Sequence, residues 1–233
     1  MKWSLGRPNP ADPFTRFRSY KWLVARQLSA AISRAARFAR GRLLDVGCGQ
    51  RRFEHYFTVD RYLGLEYPTT FGPDHRGIDV FGTALSLPFG DATFDTVASF
   101  ETLEHVTDSR AMIAELRRVV RPGGAVIVSV PFLWGEHCQP HDYFRFTGFG
   151  LRQLFSSGGL DVVHCERVGG FWSFHGQRLC YYLAQVYGQT SWLTQWLAYA
   201  ILMCASLLDA LGPADSDYPM SVIVGVRREQ EAA

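Results

Sequence analysis

Two features of this 233-residue chain are best placed to bind a ligand, a glycine-rich turn and the acid Glu66. The apolar run 43–46 leads into Gly47-Cys48-Gly49, and a second apolar run ends at Glu66. Glycine takes positive φ cheaply and lets a ligand approach the backbone. A helix starting after the turn would offer free N–H groups to an anion, and an acid ending the next strand suits ribose hydroxyls. This spacing predicts a site for a nucleoside-containing cofactor, with a purely structural Gly-x-Gly turn as the alternative.

A second group of reactive side chains is crowded between residues 137 and 147. Its members are His137, Cys138, His141, Asp142, Tyr143 and Arg145. His141 could act as a general base and Arg145 as an anion clamp, with an internal Asp142–Arg145 pair as the alternative. A metal site formed by His137, Cys138 and His141 is disfavoured because a second ligand pair at zinc-like spacing is missing. We therefore predict no metal.

The elements that must position these residues alternate between strands and helices. Apolar runs predict strands at 42–46, 62–66, 78–80, 96–100, 125–130, 160–166 and 221–226. Helices are predicted over 14–40, 109–120 and 149–156, the second ended by a turn at 121–124 and the third capped by Thr147. This alternation predicts an α/β fold with a parallel sheet, whose ligands bind at the carboxyl ends of the strands.

The order of these motifs resembles the class I S-adenosylmethionine-dependent methyltransferases, in particular the small-molecule branch called type 11. The motifs are the glycine turn, Gly64-Leu65-Glu66, Leu87-Pro88-Phe89, Phe94-Asp95-Thr96-Val97, Leu103-Glu104-His105-Val106 and Arg121-Pro122-Gly123-Gly124. The resemblance covers roughly residues 40–166 and the last strand. It implies a Rossmann-like, seven-stranded, mostly parallel sheet with helices on both faces.

The resemblance also implies S-adenosylmethionine as the cofactor and roles for individual residues. Asp45, Gly47, Cys48 and Gly49 would frame its methionine end, Glu66 would bind the ribose diol, and Phe100 would lie beneath the sulfonium. Two departures from the family pattern concern this site. Gln50-Arg51 stand where relatives carry a third glycine, and Thr83, beside Ala84, stands where they carry an adenine-binding acid. Asp79 is the nearby acid that could compensate.

The acceptor side follows from the same resemblance. His105 and His141 are the candidate catalytic residues, with packing of Glu104 and His105 beneath the cofactor as the alternative. Tyr143 and Arg145 are candidate acceptor contacts, because residues 141–147 resemble a segment that lines the acceptor in a subset of type 11 enzymes. Methyl transfer is an in-line displacement that needs a base only for a hydroxyl or protonated amine. The predicted acceptor is a small or lipid-like molecule with an oxygen or nitrogen nucleophile.

The predicted methyltransferase core comprises residues 41–170 and 218–228. An aromatic and apolar insertion at 171–217 interrupts it and is longer than the family pattern needs. Residues 192–211 carry one charge, Asp209, and are long enough to cross a membrane. A single crossing is disfavoured because the last strand must return to the sheet. A peripheral membrane contact, a lid over an apolar pocket and a homodimer surface all stay open for this insertion.

Charge and cysteine usage bear on partners and location. Residues 1–52 hold twelve Lys and Arg against two Asp, and the rest holds twelve basic against twenty acidic residues. A basic extension at 1–40 suits anionic lipid headgroups or is a solvated helix face. A nucleic-acid acceptor is disfavoured because no Asn/Asp-Pro-Pro-Tyr/Phe motif follows the fourth predicted strand.

Five scattered cysteines and the lack of a secretory signal favour a cytoplasmic protein, peripheral at the inner face of a membrane. A fold that binds cofactor without turnover and an RNA methyltransferase are the rival hypotheses.

Overall fold

The computed structural model describes residues 21–68, 77–187, 192–212, 219 and 221–228. In these residues the helices are α1 Trp22–Ala35, α2 Ser109–Val119, α3 Gly148–Ser157, α4 Phe171–Tyr187 and α5 Trp192–Leu211. The strands are β1 Arg42–Val46, β2 Arg61–Glu66, β3 Val80–Phe81, β4 Phe94–Phe100, β5 Val120–Pro131, β6 Leu160–Val168 and β7 Ser221–Arg228. The helix predicted from residue 14 begins in a part of the chain outside the described residues.

The seven strands form one sheet in the order β3-β2-β1-β4-β5-β7-β6. The pairs β1–β2, β1–β4, β2–β3 and β4–β5 are all parallel. The strand order reverses between β1 and β4, and the crevice at the carboxyl ends of two such strands is where α/β sheets bind ligands. The predicted fold class is confirmed, and the reversal lies where the glycine turn was predicted to act.

A hydrophobic core packs the central strands β4 and β5 against helices α2 and α3. Phe94, Val97, Val126 and Val128 on β4 and β5 pack with α2 and α3 residues such as Met112, Leu116 and Phe155. Asp108 caps α2 by accepting from the N–H groups of Arg110 and Ala111 at 3.0 Å. Thr147 caps α3 by accepting from the Gly150 N–H at 2.9 Å, as predicted. These caps fix where α2 begins after β4 and where α3 begins after β5.

Two predicted local features differ from the structure. No α-helix follows the glycine turn: residues 47–60, all described, contain turns and one 3-10 helix, Glu54–Tyr56. The predicted turn at 121–124 belongs to β5, whose pairing with β4 shifts register between Phe94 and Thr96. Gly124 makes this possible, since a Cβ there would lie 2.9 Å from the Asp95 carbonyl oxygen. The strand continues because glycine lets the two backbones approach closely.

The chain divides into two compact units. The sheet unit comprises residues 32–166 and 222–233, and the helical unit comprises residues 1–31 and 167–221. Within the helical unit, α4 and α5 pack closely at Gly176, where a Cβ would lie 2.8 Å from that of Ala205. Asp209, the only charge of α5, accepts from the N–H groups of Trp172 and Ser173 at 2.9 and 2.8 Å. It therefore caps the first turn of α4, which explains an acid in an otherwise apolar helix.

One described helix, α5, is long and apolar enough to cross a membrane by length and composition. Of the residues of α5, Thr194, Ala198, Leu202 and Ala205 are buried and the others are partly or fully exposed. A core helix of the same composition would be mostly buried, so this exposure distinguishes α5 from one.

Candidate cofactor and acceptor site

The carboxyl ends of four neighbouring strands bring the predicted cofactor residues together. Glu66 pairs in register with Phe81 across β2 and β3, and Val46 pairs with Leu65 across β1 and β2. The Gly82 N–H donates to the Glu66 carbonyl at 3.0 Å, which places Thr83 and Ala84 beside the end of β2. Phe100 ends β4 on the other side of β1. The sheet thus collects residues spread over more than fifty positions of sequence.

The glycine turn uses its N–H groups inside the protein. Gly47 and Cys48 both donate to the Leu65 carbonyl oxygen, at 2.9 and 3.1 Å. The Gly49 N–H donates to Oε2 of Glu66 at 2.8 Å. The expectation that this turn offers free donors to an anion is therefore wrong, because no helix starts here and β2 supplies the acceptors. The N–H groups of Gly47, Cys48 and Gly49 are therefore already paired within the protein.

Glu66 is placed to bind two hydroxyls. Its carboxylate is 5% exposed and accepts one backbone bond at each oxygen, from Gly49 and from the Tyr67 N–H at 2.8 Å. A carboxylate has about four acceptor sites, so each oxygen keeps one for a ligand. The residue is thus held in position by the turn and can accept from a ribose diol.

Cys48, predicted at the cofactor, supports the turn with its side chain. The thiol is buried against the carbonyl oxygens of Gly49 and Gly77, at 3.5 and 3.8 Å. Burial raises the pKa of Cys48 to about 12. The thiol is therefore protonated and packs beneath Gly64, where a Cβ would lie 2.7 Å from Sγ.

Asp45 presents a buried acceptor at the end of β1. Tyr62 donates its hydroxyl to Oδ2, whereas Oδ1 is buried and accepts no hydrogen bond from the described residues. A buried oxygen of this kind is costly unless a donor reaches it. The cationic amino group at the methionine end of the cofactor is a suitable donor. Asp45 and Glu66 together fit S-adenosylmethionine.

The stability of the protein should depend on the protonation of Asp45. Burial raises its pKa to about 7, against about 3.9 in an unfolded chain. The folded state therefore binds the proton more tightly, so this contribution is present below about pH 4 and is lost as pH rises towards about 7. We expect the unfolding free energy of the wild type, relative to Asp45→Asn, to fall by on the order of 2–4 kcal/mol over that range. Urea unfolding without cofactor measures it, and a pH-independent difference would contradict it.

The acid nearest the adenine side of the site is Asp79. Its Oδ2 forms an ion pair with Arg51 and accepts from the Gly64 N–H at 2.8 Å. Its predicted compensation for the missing family acid stays a prediction. Arg51, which the resemblance places at a family glycine, adopts a positive φ of 54°. The Thr83 hydroxyl accepts from the Leu85 N–H at 3.2 Å and is half-buried. Its predicted contact with adenine stays a prediction.

Phe100 is part of an aromatic group that the sequence reasoning missed. Its ring lies 5.1 Å from that of Phe53 and stacks on Phe57 at 5.9 Å, centroid to centroid. All three rings are buried. The short segment between β1 and β2 thus covers the end of β4 with apolar surface. The spacing of the apolar residues Phe53 and Phe57 in the sequence could have indicated this group.

Past Phe100, one carboxylate and two imidazoles form a cluster that we call the Glu104 cluster: Glu104, His105 and His137. Oε1 of Glu104 lies 3.6 Å from Nε2 of His105 and 4.0 Å from Nε2 of His137. Glu104 is fully buried, and neither of its oxygens accepts a hydrogen bond from the described residues. Burial raises the pKa of Glu104 well above its ordinary value, and the neighbouring charge of Glu101 acts in the same direction. Burial lowers the pKa of His137.

The two other predicted residues of the acceptor side lie at its rim. Nδ1 of His141 is 3.0 Å from the Tyr143 hydroxyl, and both side chains are exposed. The His141 carbonyl oxygen accepts from Nδ1 of His105 at 2.5 Å. The segment therefore connects to the Glu104 cluster through its backbone, and the predicted base role of His141 stays a prediction.

Arg145 makes the internal pair that was the alternative to an anion clamp. Its guanidinium donates to both oxygens of Asp142 at 2.7 Å and to the carbonyl oxygens of Trp134 and Gly135. This pairing lowers the pKa of Asp142 below its ordinary value. Asp142 in turn accepts from the His137 N–H at 2.8 Å, so the pair positions His137. An anion-binding role for Arg145 stays a prediction.

The structure groups potential metal ligands differently from the sequence. In the sequence His141, whose ring lies next to Tyr143, was considered as a ligand and His105 was not. The structure instead brings ligand atoms of His105, His137 and Cys138 within 4.8 Å of one another. The signal was the pair Glu104-His105 after β4 and a histidine after β5, because neighbouring parallel strands end side by side. The prediction of no metal stays a prediction.

Comparison with known proteins agrees with this geometry. A family model described as a methyltransferase domain matches residues 15–166. A probable S-adenosylmethionine-dependent methyltransferase of Mycolicibacterium smegmatis is 32% identical over 168 residues, covering 66% of this chain and 63% of the relative. The chain thus spans just under two thirds of that relative's length.

A second relative and a solved structure extend the comparison. The O-methyltransferase rstn1 of Aspergillus nomiae is 39% identical over 166 residues, covering 60% of this chain and 74% of the relative. The crystal structure of the [4+2]-cyclase SpnF has a TM-score of 0.56 and 20% identity, covering 90% of this chain and 83% of that chain, which shows the shared fold. The chain belongs to the methyltransferase-domain family, and its cofactor is S-adenosylmethionine.

Proposed function

We propose that this protein transfers the methyl group of S-adenosylmethionine to an oxygen atom of a small, apolar, hydroxyl-bearing molecule. The observation that carries the proposal is the Glu104 cluster, which follows directly after the end of β4 where the methionine end of the cofactor is expected. A hydroxyl is a poor nucleophile until its proton is removed, and a carboxylate with two imidazoles can assist that removal. The name of the Aspergillus relative, an O-methyltransferase, supports oxygen as the nucleophile.

The residues of the chain divide the work of such a transfer. Bound S-adenosylmethionine supplies a methyl group activated by a sulfonium. Glu66 holds the ribose, and the aromatic group of Phe53, Phe57 and Phe100 excludes water from the adjoining surface. Nδ1 of His105 donates to the His141 carbonyl, so its Nε2 carries the lone pair on the acceptor side. Positioning the two reactants in line supplies much of the rate enhancement.

An exposed aromatic row on the same edge of the sheet favours an apolar acceptor. Tyr143 and Phe144 are 41% and 39% exposed, and the rings of Phe144 and Phe146 lie 5.8 Å apart. These rings follow β5, whose carboxyl end neighbours that of β4. Large exposed apolar side chains on one loop are typical of ligand and interaction surfaces.

The helical unit supports a peripheral contact with the inner face of a membrane, for a cytoplasmic protein that acts on lipid-like molecules. Tyr182, Tyr187, Trp192 and Trp196 are at least half exposed on α4 and α5. Tryptophan and tyrosine are enriched at membrane interfaces. Cosedimentation with anionic vesicles, lost in Trp192→Ser/Trp196→Ser, would support this contact. Concentration-dependent dimers lost in the same variant would instead support a self-contact.

The test of the function follows a tritiated methyl group from the cofactor. Purified protein is incubated with labelled S-adenosylmethionine and matched acceptor sets: phenolic or quinol lipids, the same molecules with the hydroxyl already methylated, amine analogues, and RNA. We expect label in the organic extract with the free hydroxyl compounds only. Label in amines or RNA would contradict the proposal, and cofactor binding without transfer to any set would favour a binding protein.

A further inference from the structure

The Glu104 carboxylate is the most unusual polar group of the sheet unit. It is fully buried, accepts no hydrogen bond from the described residues, and points one oxygen at two imidazole nitrogens. The separations of 3.6 and 4.0 Å exceed hydrogen-bonding range, so the imidazoles do not satisfy this oxygen. A buried charged carboxylate is costly unless it is paired. A cation or a hydrogen-bond donor placed between these three side chains would satisfy this oxygen.

Both imidazoles are oriented as metal ligands are. His105 directs Nδ1 at the His141 carbonyl oxygen, at 2.5 Å. His137 directs Nδ1 at Oδ2 of Asp142 and at the Gly135 carbonyl oxygen, each at 3.3 Å. Nδ1 of His105 thus has an oxygen acceptor for its proton, which keeps the Nε2 lone pair for the Glu104 side. Nδ1 of His137 has two such oxygens and also lies 3.4 Å from Nη2 of Arg145, so the Nε2 lone pair of His137 faces Glu104 in the tautomer that donates to these oxygens. Metal-binding histidines characteristically donate their other N–H to a carbonyl or carboxylate.

The distances from Oε1 of Glu104 to the two Nε2 atoms are close to those around one ion. Metal–nitrogen and metal–oxygen distances of about 2.0–2.1 Å in a tetrahedral site put neighbouring ligand atoms about 3.3 Å apart. The observed separations of 3.6 and 4.0 Å are longer than that by about 0.3 and 0.7 Å. Ion binding therefore requires the partly exposed imidazole rings to move towards Glu104.

We infer that Glu104, His105 and His137 bind one divalent transition-metal ion, with Zn²⁺ the best match. Two imidazoles and one carboxylate select this class over Mg²⁺, which prefers an oxygen environment. Three protein ligands leave an open coordination position, as in catalytic zinc sites. The exposed thiol of Cys138, within 4.8 Å of ligand atoms of both imidazoles, lies at the rim of that position.

The role of the ion rests on the proposed function. An acceptor hydroxyl at the open position would have its pKa lowered by the metal, and its proton would pass to solvent. The oxygen lone pair then forms the bond to the methyl carbon as the carbon–sulfur bond breaks, and that electron pair stays on the sulfur of S-adenosylhomocysteine. The ion is neither oxidised nor reduced. In this arrangement His105 is a ligand, and the metal takes over activation of the hydroxyl.

The test is titration of chelator-treated, full-length protein with Co²⁺, which reports its geometry by visible absorption, and competition with Zn²⁺. We expect one Co²⁺ per chain, four- or five-coordinate absorption, and displacement by Zn²⁺. Glu104→Gln and His137→Ala should each weaken binding at least about tenfold. His175→Gln, an exposed histidine of the helical unit, is the matched control and should leave the affinity unchanged.

Three outcomes would overturn the inference. They are absence of Co²⁺ and Zn²⁺ binding by folded wild type, binding that survives both Glu104→Gln and His137→Ala, and loss in Cys138→Ser with retention in Glu104→Gln. Each variant is checked for a single cooperative unfolding transition and for wild-type S-adenosylmethionine affinity, so misfolding is recognised.

Methyl transfer in the same samples separates this inference from the proposed function. Transfer to a hydroxyl at an unchanged rate after chelation keeps the function and removes the ion from it. One Co²⁺ bound by the wild type, without transfer to any hydroxyl, keeps the site and removes the function.

Discussion

Glu66→Ala is expected to weaken binding of S-adenosylmethionine about 100-fold, or about 2.7 kcal/mol. Two hydrogen bonds from the ribose to a charged carboxylate are each worth about 1.5–3 kcal/mol. The loss includes a contribution from the turn, because Gly49 and Tyr67 donate to the same carboxylate in the structure. Isothermal titration calorimetry of the purified variant measures the dissociation constant.

Two further variants separate the ribose contact from the support of the turn. Glu66→Gln keeps one acceptor oxygen and the side-chain volume, so we expect an intermediate loss of about tenfold. Asp60→Ala removes an exposed acid just before β2 and should leave the affinity unchanged. If folded Glu66→Ala bound the cofactor as tightly as wild type, the ribose would have to be held elsewhere.

Gly47→Ala is expected to destabilise the protein by about 2–4 kcal/mol, through strain and overpacking together. Gly47 has a φ of 78°, which L side chains rarely adopt. A Cβ would also lie 2.3 Å from Oγ1 and 2.6 Å from Cγ2 of Thr102. Urea unfolding gives the change in free energy, and calorimetry should show the accompanying loss of cofactor affinity.

The Thr102 side chain allows the two causes to be measured separately. Adding Thr102→Ala to Gly47→Ala removes both close atoms but leaves the backbone strain, so the double variant should recover only part of the loss. Gly90→Ala is the matched control, because its nearest neighbour would be 3.6 Å away and its φ is not in the strained range. A Gly47→Ala protein as stable as Gly90→Ala would show that the turn relaxes at little cost.

The strands and the edge that holds the site were predictable because they depend on local patterns. Apolar runs located all seven strands, although β5 begins five residues before its predicted start, and the Thr147 hydroxyl marked the start of α3. Alternation of strands and helices then fixed which ends face the ligand. Glu66 and Phe100 were found in this way, since each is the last residue of its strand.

The contacts of the site could not be predicted because they depend on pairing between distant segments. The use of the Gly47 N–H depends on the register that brings the Leu65 carbonyl beside it. The Glu104 cluster depends on β4 and β5 being neighbours and on the course of the loop after β5. The sequence indicated His105 and the histidines of 137–147 as separate groups, and it did not show that they lie together.

The glycine turn has a consequence for how this site could change over generations. Its N–H groups are satisfied by Leu65 and Glu66. Two of the three donate to a backbone carbonyl oxygen, so the N–H groups of Gly47 and Cys48 stay paired whichever side chains change around them. Only a change at Glu66 would release the Gly49 N–H. The turn can therefore remain intact while the other side chains of the site diverge among descendants.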